Sequence, residues 1–300
     1  MKIAIIDIDG LFYQSCRDTM EDSILVFKDK FKNTLEKIGT PYYIGVYSRG
    51  NYFRSEGKTS TYKANRKKQK KNKFLYALKQ WAIAEYNLVY FPHAEADDVV
   101  KYAMFNSFSV SSEVDEEGFE KFYLDFECEP SDTTTTHELV LSSLDKDVLK
   151  SISGKHFNYT YKVPDKDKPS IVVKGTWIET PKLADPHEFI KSQMIIGDTA
   201  DGIPGIKGKG EAYYKKMKER GTNTWEGILS EYISHFGVID GIYEFQRSLR
   251  LLYILTTKED FIREIGEYPA RLEIQELVEE EEVSDELGTS PTVIIPKTDF

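Results

Sequence analysis

Nine carboxylates recur along this chain in four short groups: Asp7 and Asp9, then Glu95, Asp97 and Asp98, then Asp145 and Asp147, then Asp198 and Asp201. One acid in the first turn of a helix is accounted for by the helix dipole. Three within four residues repel one another, which costs stability unless a cation sits among them. Oxygen-only ligands in this number suit hard divalent ions, Mg²⁺ or Mn²⁺, rather than zinc. Two such ions about 4 Å apart would clamp the attacking and leaving oxygens of an in-line phosphodiester displacement. Water would then serve as the nucleophile, with no Ser or Cys required. His93 lies beside the acidic triplet, but the five histidines share no pattern and His93 reads as structural.

The last acidic pair opens the stretch GDTADGIPGIKGKG, residues 197–210. Glycine at this density lets backbone N–H groups come close to a ligand. The helical pattern that follows adds a positive dipole end suited to phosphate. A Gly/Pro surface turn with two capping aspartates is the plainer alternative.

The elements that must position these groups alternate. The apolar run Ile3-Ala4-Ile5-Ile6 ending in Asp7 reads as a buried strand with carboxylates at its C-terminal end, where open parallel sheets bind ligands. Helical spacing over residues 28–38 precedes a second strand over 41–47. A helix over 74–86, a strand over 88–91, and a helix from Ala94 through Met104 follow. Residues 138–142 repeat the buried-strand pattern and lead into Asp145 and Asp147, and residues 185–194 form a helix delivering the chain to Gly197. Amphipathic helices then run to about Ile262. The order predicts an α/β fold, a central, mostly parallel sheet with helices on both faces. Residues 113–136 read as an acidic excursion or small hairpin and 155–182 as a β-rich insertion; neither is assigned a role. From Glu276 the chain becomes an acidic tail with no core pattern, expected to be mobile.

The charge is uneven. The chain carries −10 overall, yet residues 62–73 hold seven Lys or Arg and no acid, leaving −17 on the remainder. A basic block in an acidic protein points to a polyanionic partner. Within residues 48–73, aromatic and basic side chains interleave, Arg54, Tyr62, Lys63, Arg66 and Lys67 among them, a mixture that pairs phosphates and stacks on bases. A solvated loop is the alternative. Two cysteines cannot build a disulfide framework, no apolar run reaches the roughly 20 residues of a membrane span, and Asp7 interrupts the N-terminal apolar run too early for a signal peptide. A soluble, intracellular protein is expected, cytoplasmic in a host if phage-encoded.

Taken in order, Asp7 at a strand end, Tyr62-Lys63-Ala64-Asn65-Arg66, Glu95-Ala96-Asp97-Asp98, Asp145-Lys146-Asp147, and the run from Gly197 to Gly205 resemble the flap endonuclease family of 5′ nucleases. The likeness covers about residues 1–240 and looks more like a phage exonuclease or RNase H-type member than a cellular one. The resemblance implies a PIN-like 5′ nuclease core over 1–196 with a helical arch at about 48–73, a helix–hairpin–helix subdomain over 197–270, and a tail over 271–300. It implies that Asp7, Glu95, Asp97, Asp98, Asp145, Asp147, Asp198 and Asp201 hold two or more Mg²⁺, for which Mn²⁺ substitutes. Lys63 and Arg66 would touch the scissile phosphate at the base of the arch, with Arg54, Tyr62 and Lys67 contacting DNA. Gly205, Lys207, Gly208, Lys209 and Gly210 would grip duplex phosphates, with a K⁺ at the hairpin. The implied activity is 5′→3′ exonuclease and flap endonuclease action, by a monomer, on DNA with a 5′ flap or free 5′ end, or on RNA–DNA primers during replication. The family carries a further Asp where Ser48 stands here, and Asp9 is the candidate to compensate. The alternatives are a non-cutting binder of branched DNA, which Ser48 favours, and a PIN-like ribonuclease, which leaves the hairpin and the basic arch without a role. The tail's Val293, Ile294 and Ile295 raise a docking segment for a sliding clamp or single-strand-binding protein.

Overall fold

A computed structural model describes residues 1–50, 52–54, 62–64, 71–127, 137–159, 175–182, 185 and 187–278. Strand β1 (Lys2–Asp7) alternates its side chains between two cores: Ile3 and Ile5 enter one, Ala4 and Ile6 the other. A strand apolar on both faces needs a helical layer on each. On one face lie α2 (Met20–Ile38) and α3 (Leu75–Glu85), contributing Phe27, Phe31, Leu35, Leu78 and Ala82; the short α1 (Asp9–Ser15) completes that layer. On the other lies α4 (Ala96–Phe105), contributing Val99, Val100 and Tyr102.

The parallel heart of the sheet is β2 (Tyr42–Val46), β1, β5 (Glu138–Ser142) and β6 (Gly154–Asn158). Antiparallel strands extend both edges: β7 (Thr176–Thr180) beyond β6, and beyond β2 the series β10 (Arg271–Glu276), β4 (Glu120–Asp125), β3 (Ser109–Val114). The chain leaves β1 for β2 on one side and later returns to place β5 on the other. That reversal opens a crevice at the strands' C-terminal ends, where doubly wound sheets bind ligands.

Three expectations change. Residues 271–276, assigned to the tail, are a sheet strand whose Leu272 and Ile274 enter the core, the alternation of a half-buried strand. Residues 88–91 form no strand; Val89 makes a single parallel bridge to Val46. The supposed insertion over 155–182 contains β6, which extends the parallel core. The hairpin expected near 113–136 exists as β3–β4, beginning earlier at Ser109.

A third core joins α6 (Glu188–Ile196), α7 (Glu211–Glu219), α8 (Trp225–Phe236) and α9 (Val238–Leu252) through Met194, Tyr214, Met217, Ile228, Tyr232 and Leu251. Between α6 and α7 a two-residue ladder, β8 (Gly197–Asp198) with β9 (Ile203–Pro204), carries the last acidic pair. A final helix, α10 (Lys258–Glu264), precedes β10. No described helix is long and apolar enough to cross a membrane. Most of the expected arch, with Arg66 and Lys67, and residues 279–300 of the tail lie outside the described residues.

Candidate active site

Asp7 ends β1 beneath the crevice. One carboxylate oxygen accepts from the Asp9 N–H (3.3 Å) and the other from the Ser143 hydroxyl (3.0 Å), while Tyr159 Oη donates to the Asp7 carbonyl. Burial, then the charges of Asp9 and Asp145, push its pKa up to about 8. Asp9 opens α1; its Oδ2 accepts from the Ser48 N–H (3.1 Å) and its Oδ1 faces Lys79 Nζ at 3.3 Å. The Ser48 hydroxyl in turn accepts from the Ala96 N–H (2.9 Å). Ser48 thus accepts the first N–H of α4, and Asp9 brings a carboxylate beside Ser48.

The acidic triplet divides. Glu95 and Asp97 line the cavity, whereas Asp98 turns inward and is fully buried. At the third residue of α4, Asp98 accepts from the Glu95 N–H (3.0 Å) and the Leu255 N–H (2.8 Å), and takes both Arg54 Nη groups at 2.9 and 2.5 Å. Arg54, 2% exposed, also reaches Glu95 at 2.6 Å and the Tyr253 carbonyl. Two expectations are corrected here. Asp98 has its lone pairs committed to protein donors and does not line the cavity, and Arg54, though it borders the cavity, is an internal counter-charge whose guanidinium is taken by Asp98, Glu95 and the Tyr253 carbonyl. Asp97 lines the cavity; among the described residues its Oδ1 is buried without a hydrogen bond, with Arg54 3.6 Å away. Burial drives its carboxyl well above the ordinary range, Asp98 and Glu95 adding to this against the pull of Arg54.

From β5, Asp145 caps α5 (Lys146–Ser151) by accepting from the Asp147 N–H (2.8 Å). Lys146 Nζ lies between Asp147 Oδ1 (2.7 Å) and Asp198 Oδ2 (3.2 Å). Burial, then Asp145, raises Asp147 to about 6. For Asp198 burial acts upward, but Lys146 and the N–H groups of Ala200 and Asp201 outweigh it and hold the carboxyl below its usual value. Gln193 on α6 donates to the same carboxylate at 3.0 Å. Asp201 accepts through its carbonyl from the Lys63 N–H (2.7 Å), and its side chain faces Lys63 Nζ at 3.7 Å. Lys63 Nζ also meets Glu95 at 3.1 Å, and its backbone is left-handed at φ 50°, a costly conformation for a residue with a Cβ. Burial lowers the Lys63 pKa, yet Glu95, Tyr62 and Asp201 raise it beyond that.

The sum is a cavity of about 140 Å³ lined by eight carboxylates, Asp7, Asp9, Glu95, Asp97, Asp145, Asp147, Asp198 and Asp201, and by two cations, Arg54 and Lys63. Among the described residues no three acids converge on one point at ligating distance; ammonium groups stand between several of them. The donor set is nonetheless all-oxygen, over-supplied with negative charge, and includes one buried oxygen, Asp97 Oδ1, with no hydrogen bond among the described residues. It fits a hard divalent ion.

The hairpin of residues 205–210 also sorts. A Cβ on Gly205 would lie 2.3 Å from the Ile196 carbonyl carbon and 2.4 Å from the Gly197 nitrogen. Gly205 therefore serves the close approach of two backbones and not that of a ligand. Gly208, at φ 82°, and Gly210 meet nothing within 4 Å, and Lys207 is exposed beside them. Lys209 pairs with Glu231 and lies over the Tyr213 ring. Tyr62, expected on DNA, is 5% exposed and packs in the third core. Sequence reasoning missed Lys146, although it stands between two singled-out acids. It also missed Lys79, Ser143 and Tyr159, which had no local signal.

No family model and no curated protein matches the sequence. Among solved structures, one similar chain is the bacteriophage T5 flap endonuclease in a pseudo-enzyme–product complex with DNA and metal ions: 14% identity, TM-score 0.54, covering 89% of this chain and 93% of that one. Another is a T5 protein co-crystallised with metal ions, at 15% identity and TM-score 0.51, covering 84% and 89%. The fold of this chain is thus similar to that of the T5 flap endonuclease.

Proposed function

We propose that the protein is a divalent-metal-dependent 5′ nuclease that cuts phosphodiesters of DNA bearing a free 5′ end or 5′ flap. The observation that carries this reading is the convergence of eight carboxylates on one small cavity at the sheet's topological switch, with Asp97 Oδ1 making no hydrogen bond among the described residues and Asp7 raised to about 8 by burial and by the charges of Asp9 and Asp145. Asp7, Glu95, Asp97, Asp145, Asp147, Asp198 and Asp201 would hold the ions, with Asp9 in place of the acid absent at Ser48. Bound Mg²⁺ supplies an activated water and positive charge for the phosphoryl oxygens. Lys63, pinned between Glu95 and Asp201 at the cavity rim, orients the scissile phosphate and offsets its developing charge. Lys207 and the open backbone at Gly208 and Gly210 would hold duplex phosphate ahead of the α7 N-terminus.

The test is a flap substrate labelled at its 5′ end, incubated with Mg²⁺ and with EDTA, for the wild type and Asp201→Asn. Short 5′ products that require Mg²⁺ and vanish in the variant support the reading. Tight binding of the substrate with no cleavage in Mg²⁺ or Mn²⁺ overturns it.

A further inference from the structure

A second cleft, of about 750 Å³, backs onto the acidic cavity. Phe53 lines the cleft while Arg54 lines the acidic cavity. Along the last turn of α9 and the residues after it, Arg250 and Tyr253 belong to the cleft while Leu252 and Ile254 belong to the cavity. Its volume falls within the range of about 300–1,000 Å³ usual for small-molecule sites, against about 140 Å³ for its neighbour.

One wall is aromatic, built on Trp225, Phe245, Tyr243 and Tyr253, while the acids Asp260 and Glu264 on another part of the lining are paired with Arg263. Trp225 meets Phe245 edge-on (6.4 Å between centroids, 88°), and His187 stacks on Tyr253 (5.7 Å, 26°). Two polar atoms lack a hydrogen-bond partner among the described residues, Arg247 Nε and His187 Nδ1, although both are buried. The far end of Arg247 is anchored by Glu244, and its guanidinium lies 5.8 Å from the Tyr243 ring. Burial, with Lys101 behind it, holds the His187 ring below its ordinary pKa, so near neutrality it is uncharged and able to donate to or accept from a polar ring edge.

These features select a ligand class. An aliphatic molecule would leave both polar atoms unpaired, which is costly in a buried site. A bare anion would answer only the Arg247 edge that Glu244 leaves open and would leave the aromatic wall uncovered. A flat ring with polar edges carrying an anionic group answers both, since aromatic side chains stack on bases and guanidinium pairs with phosphate. We propose that this cleft binds one nucleotide unit, with its base against the Trp225–Phe245 wall and its phosphate at Arg247. The assignment does not rest on the nuclease reading. The unit comes either from a free mononucleotide or from an unpaired position in a strand, since both present the same base and phosphate.

The test is titration of the metal-free protein, in EDTA, with 2′-deoxyadenosine 5′-monophosphate, deoxyadenosine, inorganic phosphate and a five-residue deoxyadenosine oligonucleotide. Binding is followed by calorimetry and by tryptophan fluorescence. Trp225 is the tryptophan in the cleft, Trp81 packing against Phe27 and Trp177 against Phe157. Saturable quenching by the mononucleotide is expected, at least tenfold tighter than by deoxyadenosine or phosphate. Arg247→Gln should weaken it at least tenfold, and so should Tyr243→Ala, at a position 60% exposed where the fold tolerates change. Asp201→Asn should leave it unaltered, which separates this site from the acidic one. Oligonucleotide affinity more than tenfold above that of the mononucleotide identifies a strand as the source, and lesser affinity identifies the free nucleotide. No saturable binding by either, or binding that both cleft variants leave within twofold, overturns the proposal.

Discussion

Replacing Arg54 with methionine isolates the role of the buried acid at Asp98. The wild-type guanidinium donates to Asp98 at 2.9 and 2.5 Å and to Glu95 at 2.6 Å, with Arg54 at 2% and Asp98 at 0% exposure. Methionine fills similar apolar volume but, among the described residues, leaves the Asp98 carboxylate with the Leu255 and Glu95 N–H donors alone. Breaking one side of a buried ion pair costs about 3–5 kcal/mol, because the remaining charge stays desolvated. At about 2 °C per kcal/mol for a chain of this size, melting in EDTA should fall by roughly 6–10 °C. Asp98→Asn in the same background removes the stranded charge while keeping an acceptor for the Leu255 N–H, and should recover more than half of the loss. The Arg54→Met penalty should also shrink on acidification, because the isolated carboxyl then takes a proton. Calorimetric melts of the wild type, both single variants and the double variant decide it. A loss below about 1 kcal/mol for Arg54→Met, or additive effects in the double variant, would refute the view that Arg54 and Asp98 form one structural unit.

Three further outcomes follow from the same geometry. The folded pKa of Asp7, about 8, lies far above its unfolded value, so between about pH 4 and 8 the native state holds a proton that the unfolded chain has released. Metal-free stability should therefore fall as pH rises through that window, and Asp7→Asn or added Mg²⁺ should flatten the fall in denaturant titrations; an unchanged slope would contradict the assignment. Lys146→Ala removes the ammonium between Asp147 and Asp198, so calorimetric Mn²⁺ affinity should rise about tenfold while stability in EDTA drops by about 1 kcal/mol; weaker Mn²⁺ binding would make Lys146 a support instead of a competitor. Gly205→Ala should destabilise by about 2–3 kcal/mol through its clash with the Ile196 and Gly197 backbones, whereas Gly210→Ala, in open space, should melt within about 1 °C of wild type.

The acidic groups were legible because strand ends and helix starts carry sequence signals, and the sheet's connectivity then brings four such places to one crevice. The side-chain direction of Asp98 was not legible. Three adjacent acids read as one ligand group until the fold shows that the third residue of α4 bends back onto the helix N-terminus and Arg54. Arg54 itself sits in a polar, aromatic-rich stretch, and only a contact across 199 residues, to the Tyr253 carbonyl, shows that it is internal. The strand over 271–276 was legible in principle, since Leu272 and Ile274 alternate with charge, but the acid-rich residues after it masked the pattern. Residues 88–91 had the composition of a strand, yet only Val89 finds a partner, in Val46. Composition states a preference, and an available sheet edge decides it.

The carboxylate cavity as a metal centre is tested most directly by anomalous diffraction from crystals of the protein soaked in Mn²⁺. Two peaks roughly 4 Å apart, within reach of Asp7, Asp97, Asp147 and Asp198 and both lost in Asp97→Asn, are expected. Manganese absent from the cavity, or bound only at surface carboxylates elsewhere, would contradict the account.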